Sequence, residues 1–525
     1  MKFRFYDLVD RFFCLCIAVV LVLLFFFSST SYTLKKDFCL PNIVFLLVGV
    51  FLILVFSAVT DKTANRRDKQ LRKKPKLDRF VYVFSLILFV WQLYVCKSIL
   101  FITDWDAGAI TNASVLVITG EGWAAENNYS FSYYPNNLLL LFIESFLMTL
   151  NRLTGLFKIP FDLMCLASVG CAVNSASCLL VYKTARLLCT ERTSLLAYFL
   201  SVITIGISPW VSVFYSDTLC LFVPILVIYL YIKPKNSKLS SAVHCLLIAF
   251  VSIIGYYLKP TCAIPLISAA LIELFSPKRS TVLKKILDFV CMIAGCVLIA
   301  LFVSKLIDYL CLKIWYFPDP NKRFGITHFF NMGLNTQTDG GFYYPDVAAS
   351  MSYKTVSERS VANLHNAFER IKELGVIGLL EHLKKKLLLV FNDGTFAWGV
   401  EGFFIVNILP ETTRLSHFLR QLYYSAAEVE GALYPIYKNS AQLIWVSELS
   451  FVLLAGFTVR KDRKKEYSTF FLCIIGIFLY EILFEARARY IYIFVPLFAL
   501  LAAVGISRFC ASVNNFISKS KALPV

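Results

Sequence analysis

Long apolar runs separated by short polar stretches recur along the whole chain of 525 residues. Each run has roughly the 17 to 25 residues that an α-helix needs to cross the hydrocarbon core of a bilayer. This pattern predicts an all-α polytopic membrane protein with about twelve transmembrane helices. The predicted spans are residues 12–28, 40–60, 80–102, 164–182, 194–214, 217–232, 240–258, 261–275, 286–311, 440–458, 468–485 and 490–510.

Charge is distributed unevenly between the loops that join these spans. The chain has a net charge of +18, and its Lys and Arg residues cluster in short loops, most densely in 61–79. Segment 103–163 instead carries six acids against Arg152 and Lys158. Because basic loops stay on the cytoplasmic side, both termini are predicted to be cytoplasmic and 103–163 extracytoplasmic. The positive charge is thereby explained by contact with membrane lipids, and no nucleic-acid partner is expected.

Two segments have apolar residues but are unsuited to crossing the bilayer. Residues 138–150 are too few, and 376–391 combine helically spaced apolar residues with a cluster of charges. Both are therefore predicted to be helices lying at the outer membrane surface. The predicted organisation is two N-terminal spans with a basic cytoplasmic loop (1–79), a membrane core (80–312) with outer loop 103–163, a small extracytoplasmic lid (313–439) and three C-terminal spans (440–525).

Polar residues from distant parts of the chain are predicted at the outer face. Asp104 and Asp106 directly follow span 80–102, and Asp217 lies in the turn before span 217–232. The same face receives three cations, Lys259, Arg487 and Arg489. A carboxylate can take a proton from an acceptor hydroxyl, and cations can hold a phosphate leaving group. The set therefore contains the groups that a transfer reaction on a phosphorylated lipid needs.

Simpler roles are open for each of these residues. Asp217 suits the N-cap of the following helix. The cations suit contacts with lipid head groups, although the Arg487–Arg489 pair departs from the positive-inside trend. The acids after span 80–102 could be solvated loop charges. Tyr134, in the sequence Tyr133-Tyr134-Pro135-Asn136-Asn137, suits an interfacial aromatic belt.

Taken in this order, the motifs resemble those of the GT-C superfamily of polytopic glycosyltransferases, which includes protein O-mannosyltransferases and lipid A aminoarabinose transferases. The resemblance rests on the acid pair after a span, on the Tyr-Tyr-Pro-Asn-Asn motif and on an acid opening a later span, and covers residues 80 to about 275. Segments 392–398 and 487–490 are similar to those of Gram-positive cell-envelope members.

The resemblance implies a GT-C-like fold and an inverting sugar transfer from a polyprenyl-phosphate donor to an extracytoplasmic glycopolymer, lipid or protein. It implies that Asp104 or Asp106 is the general base, and that the other acid orients the acceptor or binds a divalent cation. No other cofactor is expected. Tyr134, Asn136, Asp217, Lys259, Arg487 and Arg489 are the predicted substrate-binding residues.

A transporter or flippase of a lipid-linked envelope precursor is the main alternative. Its expected signs are ionisable residues at mid-membrane and Gly- or Pro-broken helices in two matching halves. Glu273 and Glu481 lie near span ends, and the two halves of the chain are dissimilar. The sequence therefore favours the transferase.

Overall fold

The computed structural model describes residues 2–28, 38–67, 75–120, 131–159, 161–233, 241–275, 282–401, 405–406, 413–425, 431–459 and 464–521, which are mostly helical. Two short strands, β1 (Ile102–Thr103) and β2 (Ile405–Val406), pair antiparallel. The α-helices are α1 (Lys2–Phe26), α2 (Asn42–Arg67), α3 (Pro75–Ser98), α4 (Asp106–Thr119), α5 (Asn137–Thr154), α6 (Met164–Leu188), α7 (Glu191–Ser201), α8 (Ser216–Leu219), α9 (Val223–Ile232), α10 (Ser241–Leu258), α11 (Ile264–Leu274), α12 (Val282–Lys313), α13 (Ile326–Gly333), α14 (Tyr344–Met351), α15 (Val356–Phe391), α16 (Trp398–Glu401), α17 (Arg414–Tyr423), α18 (Tyr434–Thr458), α19 (Lys464–Leu483) and α20 (Val495–Lys521).

The polytopic all-α fold predicted from the apolar runs is confirmed, and each predicted span coincides with helical structure. By length and composition, seven helices among the described residues could cross a membrane: Phe5–Phe26, Leu77–Ser98, Met164–Leu188, Ile286–Lys313, Tyr434–Thr458, Lys464–Leu483 and Ala488–Ile517. The shorter apolar helices are Asn42–Val55, Asp106–Thr119, Ser216–Ile232, Ala242–Leu258 and Pro260–Leu274. Most of the basic loop 61–79 lies outside the residues whose side chains are described.

The predicted span 194–214 is broken rather than continuous. Helix α7 gives way to a π-helical turn at Val202–Gly206, and Pro209 then opens a short 3-10 helix. Proline disfavours the α conformation in the residue before it, so the helix cannot continue into this segment. The Asn174 side chain donates to the Ile205 carbonyl, and Gln92 donates to that of Gly206. These bonds help to satisfy the carbonyls beside the break in an apolar setting, where the Ile205 carbonyl also accepts from the Ser208 N–H.

The first outer loop and the lid region carry further helices. Segment 138–150, which was predicted to be a surface helix, forms α5, and α5 packs on α4. The predicted helix 376–391 is the second half of α15, which has a non-helical break at Gly375. The first half begins with a capping box between Thr355 and Glu358, an arrangement that satisfies the free N–H groups of a first helical turn.

Polar contacts occupy the two opposite ends of the helical bundle. At one end, Lys464 binds Asp7 and Asp10 near the start of α1, and Lys465 lies 2.6 Å from Glu273 near the end of α11. The other end is formed by the turns before α8 and α11 and after α19. This second end, which the candidate site occupies, holds the acids and cations that were predicted at the outer face: Asp104, Asp106, Asp217, Lys259, Arg487 and Arg489.

Candidate functional site

A buried carboxylate with two cations forms the centre of the site. Asp217, in the first turn of α8, has Oδ1 2.6 Å from the Lys259 Nζ and Oδ2 3.4 Å from the Arg489 Nε. Its side chain is 1% exposed, and those of the two cations are 10% and 6% exposed. Tyr215 occupies the N-cap of α8 without a side-chain capping bond. The Asp217 carboxylate therefore does not cap this helix; it forms ion pairs with two other segments of the chain.

The three segments are brought together by turns at the ends of apolar helices. Lys259 follows α10 in an extended conformation, and Pro260 opens a 3-10 turn that leads into α11. Arg489 lies in the 3-10 turn Ala488–Phe494, which joins α19 to α20. A buried charge is tolerated when a partner of opposite sign is in contact with it. The pairing thus accounts for two cations buried at this end of the bundle.

Arg489 is enclosed by aromatic rings. Its guanidinium carbon lies 4.1 Å from the centroid of Trp105 and 5.3 Å from that of Tyr215. Trp210, 6.0 Å from the same carbon, makes edge contacts with Trp105. Aromatic faces attract a cation and fix the plane of an arginine. The rings therefore orient Arg489 and connect it to the motif that contains the two first-loop acids.

The first-loop acids lie at the entrance to α4. Asp106 is the first residue of that helix, and its Oδ2 accepts a hydrogen bond of 3.5 Å from the Tyr215 hydroxyl. Burial raises the pKa of Tyr215, with the Asp106 charge adding to the effect, so this hydroxyl stays protonated and donates. Asp104 is exposed to solvent two residues earlier. Of the two acids, Asp106 is the one that hydrogen-bonded and stacked groups connect to the cations.

A sharp turn sets this geometry. A Cβ on Gly108 would lie 1.7 Å from the Thr103 carbonyl oxygen, so the start of α4 can approach β1 this closely only with glycine at that position. The chain therefore reverses direction at Asp104 and Asp106, and both carboxylates are held at the rim.

The third cation, Arg487, lies on the same loop as Arg489. Its backbone N–H donates to the Glu481 Oε2 at 3.2 Å. Nearby, Glu485 accepts a 2.8 Å bond from the Tyr490 hydroxyl, and the Tyr490 ring lies 4.7 Å from the Lys259 Nζ. Burial raises the pKa of Glu485, while Tyr490 and the arginines oppose the shift. This loop is thus tied both to α19 and to Lys259.

Tyr134 and Asn136 have other surroundings. Tyr134 packs edge-on against Phe324 at 5.1 Å, and the backbone N–H of Phe324 donates to the Tyr133 carbonyl. The Asn136 amide donates to Asn137. These contacts join the Tyr-Tyr-Pro-Asn-Asn motif to the lid region, whereas the Asp217 ion pairs join α8, Lys259 and the loop after α19.

Several residues of the site were not singled out from the sequence. Trp105 lies between the two first-loop acids in the sequence, and this position could have identified it as a site residue. Glu485 could have been identified from its place just before the Arg-x-Arg pair. Trp210 has an indole N–H that donates to the carbonyls of Thr395 and Phe396 at 3.1 Å. The Asp393 carboxylate accepts bonds from Thr395 and Ala397 and so fixes that turn. The 392–398 segment thus supports the aromatic enclosure from behind.

The described residues contain no cluster of three or more His, Cys, Asp or Glu side chains that could hold a metal ion. A divalent cation bound by Asp106 stays a prediction. What the arrangement offers chemically is a carboxylate at a solvent-facing rim beside a fixed group of cations.

Comparison with known proteins gives a family and distant structural similarity. No curated protein matches the sequence significantly. Among solved structures, ArnT from Cupriavidus metallidurans bound to undecaprenyl phosphate is 10% identical, with 82% of this chain and 77% of that chain covered and a TM-score of 0.33. At that score the two chains differ too much for one to stand for the other. The family described as "conserved hypothetical integral membrane protein" matches residues 5–509. The chain therefore belongs to this family of integral membrane proteins.

Proposed function

We propose that the protein is a glycosyltransferase that moves a sugar from a polyprenyl-phosphate donor to an acceptor hydroxyl outside the cytoplasm. The observation that carries the proposal is the convergence of Lys259 and Arg489 on Asp217, beside the first-loop acids. The acceptor belongs to an envelope glycopolymer, a lipid or a protein.

The cations supply a site for the donor phosphate. Asp217 balances one of the two positive charges it binds. Arg487, which lies two positions before Arg489 in the chain, contributes a third positive charge. A phosphate oxygen accepts charge-assisted hydrogen bonds from Lys and Arg, and these strengthen as charge develops on the leaving group. Because these cations lie at the mouth of apolar helices, a polyprenyl tail can remain in lipid while its phosphate reaches them.

The first-loop acids supply the base. The acceptor oxygen attacks the anomeric carbon and forms a C–O bond while the bond from that carbon to the phosphate oxygen breaks. The acceptor proton passes to Asp104 or Asp106, and the polyprenyl phosphate leaves with the electron pair. Attack opposite the leaving group inverts the anomeric configuration. General-base removal of this proton contributes typically about 10²- to 10⁴-fold to the rate.

Transfer in isolated membranes tests the proposal. Membranes containing the chain receive a panel of undecaprenyl-phosphate sugars, each with a radiolabelled sugar, and label in the envelope polymer, lipid and protein fractions is counted. We expect transfer with the wild type and a loss of about 10²-fold or more in one of D104N and D106N. Loss only in D104N assigns the base to Asp104, and loss only in D106N assigns it to Asp106. Full transfer by both variants would contradict the mechanism.

A flippase is the second candidate, because a buried acid lies in the middle of a span. Glu448, in the middle of α18, is 1% exposed and accepts a 2.7 Å bond from Thr204 in the π-helical turn. Ionisable residues inside the membrane commonly mark transport pathways. In proteoliposomes, movement of a labelled lipid-linked sugar between leaflets without transfer, abolished by E448Q, would favour the flippase. Transfer that survives E448Q favours the enzyme.

A further inference from the structure

Lys386, which the proposed reaction does not use, lies buried where the lid region meets the loop that carries Arg487 and Arg489. Its side chain is 1% exposed. The Nζ donates to the Gly333 carbonyl at 2.8 Å and to the Ile482 carbonyl at 2.9 Å. Gly333 is the last residue of α13, and Ile482 lies in the last turn of α19. One amine therefore caps two helix ends, where carbonyls lack partners and the helix dipole favours a cation.

The Lys386 side chain packs closely against its neighbours. A Cβ on Gly340, which has a φ of +80°, would lie 2.9 Å from the Lys386 Cε. The His382 Nε2 is 2.9 Å from the same Gly333 carbonyl. Burial lowers the pKa of Lys386 to about 7, with Glu481 and Glu485 acting in the opposite direction. In either protonation state the amine keeps the two hydrogens that these carbonyls accept.

The loop that follows Ile482 is bonded to the lid region at successive residues. The Glu485 N–H donates to the Phe329 carbonyl, and the Ala486 N–H donates to the Gly340 carbonyl, both at 2.9 Å. Arg487 comes next, with its own N–H on the Glu481 carboxylate. The backbone from residue 482 to 487 is therefore held on both sides, and Lys386 holds its first turn.

We propose that Lys386 is a positioning residue that fixes the 482–489 loop so that Arg487 and Arg489 meet an anionic lipid head group. The inference rests on the proposed function, because it assigns this loop to the donor phosphate. Lys386 itself is enclosed and touches no ligand; it acts through the backbone of the loop. The lid region is consequently bonded directly to the loop that forms the phosphate site.

Binding of undecaprenyl phosphate and of undecaprenol to the purified full-length protein in detergent separates this role from a structural one. We expect the wild type to bind the phosphate more tightly than the alcohol. In K386M, binding of the phosphate should weaken about tenfold, while binding of the alcohol stays close to wild type. K386R, which keeps the donors, should restore much of the loss. K384M, which removes a neighbouring lysine bound to Glu381, is the matched control and should bind like wild type.

A double-mutant cycle tests the route of the effect. If Lys386 acts through the arginine loop, K386M should weaken binding of undecaprenyl phosphate much less in an R487M background than in the wild type. Equal loss for both lipids, or additive effects of K386M and R487M, would overturn the positioning role. If K386M does not fold, K386Q, which keeps an amide donor on a shorter side chain, replaces it in the same cycle. Wild-type binding without preference for the phosphate would overturn the proposed function as well, whereas preference unaffected by K386M or K386Q would overturn this inference alone.

Discussion

At the scale of single residues, the site depends on one carboxylate with two cations. Sequence reasoning identified Asp217, Lys259 and Arg489 because each is a charged residue at a turn between apolar runs. It left open which of them contact each other, since contacts between residues distant in the sequence are decided by helix packing. The sequence did not predict the enclosure of Arg489 by Trp105 and Tyr215 either. Aromatic residues are common at membrane interfaces whether or not they contact a cation.

Substitution of Asp217 should destabilise the protein strongly. D217N leaves two buried cations without their counter-charge, and breaking a buried pair in this way costs about 3 to 5 kcal/mol of unfolding free energy. Denaturant unfolding in mixed micelles measures the change. The double variant D217N/K259M should recover part of the loss, because one uncompensated charge is removed with the other.

The matched control is E369Q, which breaks the exposed pair between Glu369 and Lys372. Its unfolding free energy should stay within about 1 kcal/mol of wild type, as is usual for surface ion pairs. Equal stability of D217N and E369Q would show that the Asp217 contacts contribute little.

At the scale of elements, the sequence predicted helices better than their interruptions. The helical spacing of 376–391 was recognised, but the first half of α15 was not, although Thr355 and Glu358 stand at the spacing of a capping box. The break of span 194–214 was missed because apolar residues predominate in it, although Gly206 and Pro209 were local signals of interruption. Apolar periodicity reports burial, whereas a π turn depends on polar side chains supplied by neighbouring helices.

The break in α15 predicts opposite effects for two glycines. Gly375 has a φ of 58° and a ψ of −173°, a conformation that other residues adopt at a cost of order 1 to 3 kcal/mol. G375A should therefore lower the unfolding free energy. Gly378 is helical, and an added Cβ would meet its nearest neighbour at 3.4 Å. G378A should raise helix stability by about 0.5 to 1 kcal/mol.

Protease protection of the lid region and denaturant unfolding both check this pair. A stabilising effect of G375A would mean that α15 runs straight through residue 375 in the membrane-bound protein.

At the scale of the whole molecule, clusters of charged residues lie at the two ends of an apolar bundle. Loop charges in the sequence indicated two distinct ends, because Lys and Arg cluster in alternate short loops while segment 103–163 is acidic. The contacts agree with it: Cys39, after α1, donates its N–H to Asn439 near the start of α18, at the end opposite to Lys464 and Asp7. Which end faces outward is still a prediction from charge alone.

Thiol labelling determines the orientation. Cys39 is exposed, and a membrane-impermeant maleimide should label it in intact cells, with C39S as the unlabelled control. In a C39S background, K233C, at the opposite end beyond α9, should react only after permeabilisation. The reverse result would place the candidate site in the cytoplasm and remove the extracytoplasmic acceptor.

The most direct test of the central claim is a cryo-EM structure of the full-length protein with undecaprenyl phosphate added. We expect phosphate density in contact with Lys259, Arg487 and Arg489, with the first-loop acids facing the adjoining space. A head group bound elsewhere, with these cations still closed on Asp217, would contradict it.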